Sequence, residues 1–294
     1  MQNIKNLVSI ALFLIFGTLS AQQEGLLSNY RYHMNAYNPA YVSPEGETAI
    51  TSSFRQQWTG VEEAPRTMVV SFGTRLGEKM GLGVSVMNDK TFIESQTFIG
   101  IDYSYKLQLS ENSELYLGLK AGGNTYSVNT AGLETYNIQS DPSIASISDF
   151  NPNIGAGILL KREALFLSLA MPRMLSTDRA ENSNGTATAT VAKPHLYATV
   201  GYDLPLGNGN LMLKPSAMMR QVNGAPLSVD FNTMLSFNND FEVGASYRTD
   251  SAFAGLVNLS LQKRLTLGFA YEVSTRSELA SAKNTNELFL RFVF

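Results

Sequence analysis

The sequence lacks cysteine entirely. This absence excludes disulfide bonds, thiol nucleophiles, cysteine metal ligands and a lipidated N-terminal cysteine. Histidine is scarce as well, since only His33 and His195 are present. Neither histidine belongs to a sequence motif for catalysis, phosphate binding or metal binding. We therefore expect no cofactor, no metal site and no enzymatic activity.

Long apolar runs and clusters of basic residues are also missing. Charged residues make up 16% of the chain, the formal net charge is −3, and the mean hydropathy is −0.06. A bundle of membrane helices needs several runs of about 20 apolar residues. Nucleic-acid binding needs a basic stripe or patch. The sequence predicts neither kind of protein.

The first 21 residues have the composition of an export signal. Lys5 precedes an apolar run at residues 7–16, and Leu19-Ser20-Ala21 places small residues before a cleavage point. This order is typical of a secretory signal peptide, and an uncleaved anchor helix is the alternative. We expect residues 1–21 to be removed and the mature chain to be exported.

Beyond residue 45 the chain alternates between apolar and polar residues, as β-strands do. One of the clearest examples follows Ala225-Pro226. Its apolar face holds Leu227, Val229, Phe231, Leu235 and Phe237. Its other face holds Ser228, Asp230, Asn232, Ser236 and one apolar exception, Met234. A helix would mix these two sets, so this stretch is predicted to be a strand.

The same reasoning predicts fourteen strands, an even number that suits a closed antiparallel barrel. They lie near residues 46–57, 66–75, 80–88, 96–107, 114–128, 152–162, 163–172, 195–204, 210–220, 226–238, 240–249, 253–263, 264–275 and 284–294. Every second link is short, at residues 77–79, 110–113, 161–163, 207–209, 238–240 and 263–264. The other links include the two longest, near residues 129–151 and 173–194. This asymmetry is typical of outer-membrane barrels and predicts that both chain ends lie at the periplasmic rim.

A soluble β-sandwich alternates too, but its outward face carries charge. Here the less apolar face carries mainly Gly, Ser, Ala, Thr and Asn, and the apolar face continues across many strands. In water such a face would be a large exposed patch, whereas lipid requires it and barrel closure satisfies every backbone group. We therefore predict an all-β, single transmembrane antiparallel barrel at residues 46–294. Candidates for its aromatic girdles are Tyr30, Tyr32, Trp58, Tyr103, Tyr126, Tyr202, Tyr247 and Tyr271.

Residues 22–45 precede the first strand and do not fit a simple pore. They are polar and aromatic, and they contain the turn-forming pair Asn38-Pro39. We expect this segment to plug the lumen or to cap the periplasmic rim. If Arg55 and Gln57 have the lumen-facing parity of the first strand, they are placed to hydrogen-bond to the segment. Trp58 is a candidate anchor at the outer rim.

The same region carries a family resemblance. Its elements are Tyr30, Asn35, Asn38-Pro39-Ala40-Tyr41, Arg55-x-Gln57-Trp58-x-Gly60, Ala64-Pro65-x-Thr67 and Ser71-Phe72, in that order. This pattern resembles the PorP/SprF family of type IX secretion membrane proteins from Bacteroidota. The resemblance implies an outer-membrane barrel without catalytic activity. It also implies a role beside the secretion machinery, in exporting a large secreted adhesin or in holding its C-terminal domain at the cell surface.

Three functions remain open at this point. In the first, the protein is a partner in secretion or surface anchoring, and the loops near residues 129–151 and 173–194 are docking surfaces. The second is a porin or small-solute transporter, and the third is a barrel hydrolase that uses His195 with a Ser or Asp. For the first function, the candidate residues for partner binding or for locking the N-terminal segment are Tyr30, Asn35, Asn38, Pro39, Arg55, Gln57, Trp58, Gly60 and Pro65. The expected partners are outer-membrane lipid, a secreted substrate protein and the type IX machinery.

Overall fold

A computed structural model describes residues 26–129, 147–178, 191–207, 209–249, 251–276 and 284–294. The predicted signal peptide and most of the two predicted long loops lie outside this part of the chain. The described strands are β1 (Ala49–Gln56), β2 (Arg66–Leu76), β3 (Met80–Thr91), β4 (Glu94–Ser110), β5 (Ser113–Val128), β6 (Ile147–Arg162), β7 (Leu165–Met171), β8 (Thr177–Asp178), β9 (Val191–Ala192), β10 (His195–Tyr202), β11 (Leu204–Leu206), β12 (Leu211–Val222), β13 (Ser228–Phe237), β14 (Phe241–Arg248), β15 (Ala252–Leu261), β16 (Leu265–Ser274) and β17 (Asn284–Val293).

Fourteen of these strands form one closed antiparallel barrel, as the sequence predicts. Consecutive strands pair from β1 to β7, then β7 pairs with β10, β10 with β12, and β12 to β17 follow in order. The barrel closes where β1 pairs with β17 in register from Ala49↔Val293 to Gln56↔Asn286. Because the ring closes, no backbone edge is left facing lipid. The short strand β11 pairs with the first residues of β12, and β8 pairs with β9 in a separate two-stranded sheet.

The two rims of the barrel differ in their links. We call the rim that holds Ala49 and Val293 the terminal rim, and the opposite one the loop rim. Tight turns at residues 77–79, 111–112, 163–164, 238–240 and 262–264 lie at the terminal rim. At the loop rim, residues 57–65 join β1 to β2, and the facing ends of β5 and β6, of β7 and β10, and of β16 and β17 lie there as well. The longer loops of outer-membrane barrels face outward, which predicts that the loop rim faces the cell exterior.

Side chains alternate between the outside and the inside of the barrel. On β4, Ile99 and Ile101 are more than half exposed and Tyr103 is exposed too, whereas Asp102, which lies between Ile101 and Tyr103, is fully buried. The predicted strand at residues 226–238 behaves in the same way, with Phe231 outside and Asp230, Asn232 and Met234 inside. Apolar outside and polar inside is the arrangement of a barrel in lipid. No helix among the described residues is long and apolar enough to cross a bilayer.

Predicted strand boundaries are close to the observed ones, but several strands are longer. The strand predicted at residues 96–107 covers Glu94–Ser110, and the one predicted at 152–162 covers Ile147–Arg162. Among the girdle candidates, Tyr103, Tyr202 and Tyr271 face outward. Tyr30 and Tyr126 are buried inside the barrel, so their assignment to a girdle was wrong.

Residues 26–44, which we call the lumen segment, lie inside the barrel. They form a short 3₁₀ turn (Tyr30–Tyr32), the single-turn helix α1 (Met34–Tyr37) and a second 3₁₀ turn (Pro39–Tyr41). The main apolar core lies between this segment and the wall. Its buried members are Leu26, Leu27, Tyr30, Met34, Tyr37, Val69, Met87, Tyr197 and Met218. More than half of this core therefore comes from a segment that precedes the barrel strands in the sequence, and the rest comes from the inner face of the wall.

Candidate functional site: the occupied lumen

Asn38 and Pro39 shape the central bend of the lumen segment. The Asn38 side chain accepts a hydrogen bond from the Ala40 backbone N–H at 2.9 Å, which caps the second 3₁₀ turn. Pro39 follows at the first position of the turn, where a missing N–H costs nothing. The Asn38 amide also donates to the Ile158 carbonyl at 3.0 Å and so ties the bend to β6.

Glycines on the inner face make room for this bend. A Cβ atom on Gly118 would lie 2.1 Å from the Ala40 nitrogen, and one on Gly157 would lie 2.1 Å from the Asn38 side-chain oxygen. Neither distance is compatible with an ordinary side chain. The small residues of the less apolar face are thus explained here by close packing of the lumen segment.

Arg55 is the centre of a buried ionic network at the seam where the barrel closes. It lies on β1, is 2% exposed, and contacts Glu272 of β16 at 2.6 Å and Glu287 of β17 at 3.5 Å. Arg55 and Glu287 are direct partners in the β1–β17 register. Ion pairs inside a protein hold only when their remaining hydrogen-bonding groups are also satisfied.

The lumen segment supplies further hydrogen bonds to this network. The Glu287 carboxylate accepts from the backbone N–H groups of Ser28 at 2.7 Å and Asn29 at 3.0 Å. The Ser28 hydroxyl donates to Glu272 at 3.2 Å and accepts from Arg55 at 3.3 Å. The first residues of the segment are therefore part of the seam network itself.

Arg248, at the end of β14, extends this network around the wall. Its guanidinium donates to Asp230 at 2.6 Å and lies 3.5 Å from Glu272. A third contact runs to the lumen segment, because Arg248 donates to the Leu26 carbonyl at 3.2 Å. Asn232 on β13 donates to the Ser28 carbonyl at 3.1 Å. Leu26, Ser28 and Asn29 are thus held by side chains from five strands, namely β13, β14, β16, β17 and β1.

A second buried ion pair holds the segment from the opposite wall. Lys120 on β5 lies 3.1 Å from Asp102 on β4, and both side chains are almost fully buried. Lys120 also donates to the Ser85 hydroxyl at 2.6 Å and to the Asn35 carbonyl at 3.4 Å. The segment is consequently fixed on two sides of the lumen.

Tyrosines and Arg31 fix the segment nearer the terminal rim. Tyr30 shares a hydrogen bond with Ser216 at 2.8 Å, and Tyr32 donates to Glu242 at 2.5 Å. Arg31 forms an ion pair with Asp203 at 2.6 Å and lies 5.2 Å from the centre of the Phe166 ring. Burial raises the pKa of Tyr30 and of Tyr32 above its ordinary value, so both hydroxyls keep their protons at neutral pH.

A cavity of about 610 Å³ remains between the segment and the wall near the terminal rim. Two further ion pairs, Glu45 with Lys161 and Glu47 with Arg291, line it together with the Arg31–Asp203 pair. All three join residues 31–47 to the wall, and all are partly exposed. Partly exposed pairs contribute little to stability.

The side chain of His33 is buried without a hydrogen-bond partner among the described residues. Both ring nitrogens lack a partner there, and the ring lies edge-on to Phe289 at 5.9 Å. Burial lowers the pKa of His33 to about 3, and the positive charge of Arg291 adds to the effect. The imidazole is therefore neutral over the physiological pH range.

Comparison with known proteins assigns the chain to a family. The family model described as type IX secretion system membrane protein PorP/SprF matches residues 19–292. The chain belongs to the PorP/SprF family. The resemblance at the N-terminal motifs is thereby confirmed over nearly the whole chain. No curated protein matches the sequence.

Solved structures support the fold. Omp33, an outer membrane protein of Acinetobacter baumannii, is 10% identical and has a TM-score of 0.50, with 84% of this chain and 98% of that chain covered. The monoaromatic hydrocarbon channel CymD is 10% identical and has a TM-score of 0.51, with 87% and 90% covered. At this identity the similarity concerns the barrel alone. The PorP/SprF chain is therefore an outer-membrane β-barrel.

The structure separates the candidate site residues into two groups. Tyr30, Asn35, Asn38, Pro39 and Arg55 meet in the lumen. Gln57, Trp58, Gly60 and Pro65 lie in the β1–β2 link at the loop rim. There the Gln57 backbone N–H donates to the Pro65 carbonyl at 2.9 Å, and Trp58 and Gly60 have positive φ angles of 48° and 95°.

Sequence reasoning found Arg55 but missed its partners Glu272 and Glu287, as well as the Arg248–Asp230 pair. The three carboxylates are charged residues on the inner face of strands whose outer face is apolar, which is the signal that the sequence offered. Gln57, for which a lumen-facing position was a condition of contact with the segment, follows the last residue of β1 and belongs to the β1–β2 link. Within the described chain, no group of His, Asp and Glu is arranged to hold a metal ion.

Proposed function

We propose that this barrel is a non-enzymatic component of type IX secretion that assists the export or surface anchoring of a secreted, adhesin-like partner protein. Membership of the PorP/SprF family gives the broader assignment to type IX secretion in the outer membrane. The finer role is supported by one structural observation, which is the lumen segment held by buried ion pairs on both walls. Such a barrel is suited to docking a protein more than to passing solutes.

The occupied lumen argues against the alternative of a porin or small-solute transporter. Side chains alone fill a barrel of about eight strands, whereas wider barrels leave a channel unless another element closes it. Here residues 26–44 occupy that space and supply buried residues such as Leu27, Tyr30 and Tyr37. The cavity of about 610 Å³ described above lies at the terminal-rim end.

The loop rim is the surface that we assign to the partner. It carries the β1–β2 link, in which Val61 is 44% exposed, and the link between β3 and β4, in which Phe92 is 50% exposed. The Phe92 backbone N–H donates to the Glu63 carbonyl at 3.2 Å, which joins these two links. Together with the loops near residues 129–151 and 173–194, they are the proposed docking surface for the C-terminal domain of the secreted protein.

Deletion of residues 22–44 tests this function. We expect the variant to insert as a barrel with heat-modifiable gel migration, but to lose export or surface retention of the co-purifying secreted protein. Asp203→Asn is the matched control, because it removes only one partly exposed contact of the segment, and it should retain both properties. Normal secretion by a correctly inserted deletion variant would overturn the proposal.

A further inference from the structure

The outer wall of the barrel carries an apolar groove of about 500 Å³ that crosses β6, β7, β10 and β12. Ala198 on β10 pairs with Leu169 on one side and Met219 on the other, and Ala217 on β12 pairs with Val200. All five side chains have the outward parity of their strands. The short alanine side chains between longer ones therefore leave a depression in the surface that faces lipid.

The groove lies in the half of the wall that is next to the terminal rim. At this rim β10 ends at Tyr202, which pairs with Leu165 after the turn at residues 163–164. Ala198 precedes Tyr202 by four positions, which is about 13 Å along the strand at roughly 3.3 Å per residue. The hydrocarbon core of a bilayer is about 30 Å thick, so each leaflet contributes about 15 Å. The groove is thus short enough to lie within the leaflet at the terminal rim.

Arg162 and Tyr202 stand at the terminal-rim end of the groove. Arg162 is the last residue of β6, two positions beyond Leu160, which lines the groove. Tyr202 is two positions beyond Val200, which lines it too, and is 43% exposed. Arg162 is exposed on the same side of its strand as Leu160, and it forms no ion pair with another described residue. An unpaired cation and a phenol therefore lie where the apolar wall meets the lipid headgroups.

These features fit the two parts of a phospholipid. A guanidinium binds the oxygens of a phosphate through two parallel hydrogen bonds, and tyrosine is enriched at the level of the headgroups. An acyl chain is apolar and flexible, so it can follow an irregular groove between leucine and alanine side chains. A purely apolar occupant, such as the wall of a second barrel, would leave the charge of Arg162 without a counterion.

We propose that this groove, together with Arg162 and Tyr202, is a binding site for one phospholipid. An acyl chain occupies the groove, and the phosphate lies on the Arg162 guanidinium. Because the loop rim is predicted to face the cell exterior, the lipid comes from the periplasmic leaflet. It covers β7, the shortest of the fourteen barrel strands. The inference concerns the lipid-facing wall, and it holds or fails independently of the role proposed in secretion.

Native mass spectrometry of the purified full chain in detergent micelles tests the site with three probes. Dioleoyl phosphatidylglycerol carries both parts of the ligand, dioleoylglycerol lacks the phosphate, and glycerol phosphate lacks the acyl chains. We expect the protein to retain one molecule of phosphatidylglycerol, and to retain neither of the other two at the same concentration.

Two substitutions locate the binding on the wall. Arg162→Gln should weaken retention about fivefold, which corresponds to about 1 kcal/mol for one cation at a membrane surface. Arg264→Gln is its control, since Arg264 is exposed at the same rim in the turn between β15 and β16. Ala217→Phe fills the groove and should abolish retention, whereas Ala245→Phe adds the same volume to the outer face of β14 and should not.

Four results would overturn the inference. They are equal retention of dioleoylglycerol, displacement of the lipid by glycerol phosphate, equal effects of Arg162→Gln and Arg264→Gln, and undiminished retention by Ala217→Phe. A lipid-free dimer that Ala217→Phe dissociates would assign the groove to a second copy of the chain instead. Heat-modifiable migration confirms that each variant is a closed barrel before it is measured.

Discussion

At the scale of single residues, the carboxylate of Glu287 connects the two ends of the described chain. It pairs with Arg55 across the seam and accepts two backbone hydrogen bonds from the lumen segment, while being only 1% exposed. A buried donor that loses its acceptor retains the full cost of leaving water. The stability of the closed lumen therefore depends strongly on this one charge.

Replacing Glu287 by Gln should destabilise the barrel by about 1–3 kcal/mol, since Arg55 and the Ser28 N–H lose a charged acceptor. The measurement is the temperature at which the folded band converts to the unfolded one in a gel. Glu62→Gln is the control, because Glu62 is exposed in the β1–β2 link, and it should change stability by less than about 0.5 kcal/mol. Equal effects of the two substitutions would contradict the assigned role of Glu287.

His33 predicts a pH dependence of stability. Its pKa is 6.5 as a free side chain and about 3 in the folded protein. Between these values the unfolded chain binds a proton that the folded chain does not, so stability falls as the pH decreases from about 6.5 towards 3. Unfolding temperatures at pH 7.5 and pH 5 measure the effect. In His33→Phe, which keeps a ring against Phe289, the difference between the two pH values should shrink.

At the scale of elements, the strands follow from short-range patterns and the lumen segment does not. Two-residue alternation is local, and it correctly predicts strands such as β13 and β16. Phe166 and Met234 break the alternation of their strands for reasons that only the fold shows. Phe166 packs against Tyr41 and Arg31, and Met234 belongs to a small inner cluster with Leu256 and Ala270.

The partners of the candidate site could not be predicted because they are distant in sequence. Asn38 and Pro39 predict a bend because both residue types favour turns, and this preference is a local property of the sequence. The contact of Ser28 with Glu287, by contrast, joins residues 259 positions apart. Only the closure of the whole ring brings such residues together.

The fit between α1, its following turn and β5 can be tested with one methyl group. Gly118→Ala places a Cβ atom against the backbone of Ala40, so we expect destabilisation of about 1–3 kcal/mol and displacement of the lumen segment. Limited proteolysis should then cut the segment more readily. Gly255→Ala is the matched control, because nothing lies within 4 Å of the added atom, and it should leave the protease pattern unchanged.

At the scale of the whole molecule, fourteen strands enclose a lumen that their own side chains do not fill. The segment, its ion pairs and the inward aromatic residues complete the interior. Function and stability are therefore linked, since the part of the chain that closes the pore is also the part that completes the core.

Planar bilayer recordings should show this closure directly. The intact protein is expected to give no wide, stable pore, whereas the variant without residues 22–44 should conduct small ions, because its lumen becomes continuous. Asp203→Asn serves as the control and should remain closed. A stable large conductance from the intact protein would favour the porin instead.

The position of Glu287 on the last strand has a consequence for biogenesis. Residues 26–44 leave the export channel before any barrel strand, yet one of their principal acceptors lies on β17, which follows all the other barrel strands in the sequence. The lumen segment can be fully held only after the barrel has closed around it. Retention of the lumen segment therefore depends on the last strand of the barrel, and a chain that lacks β17 should not hold residues 26–44 in place.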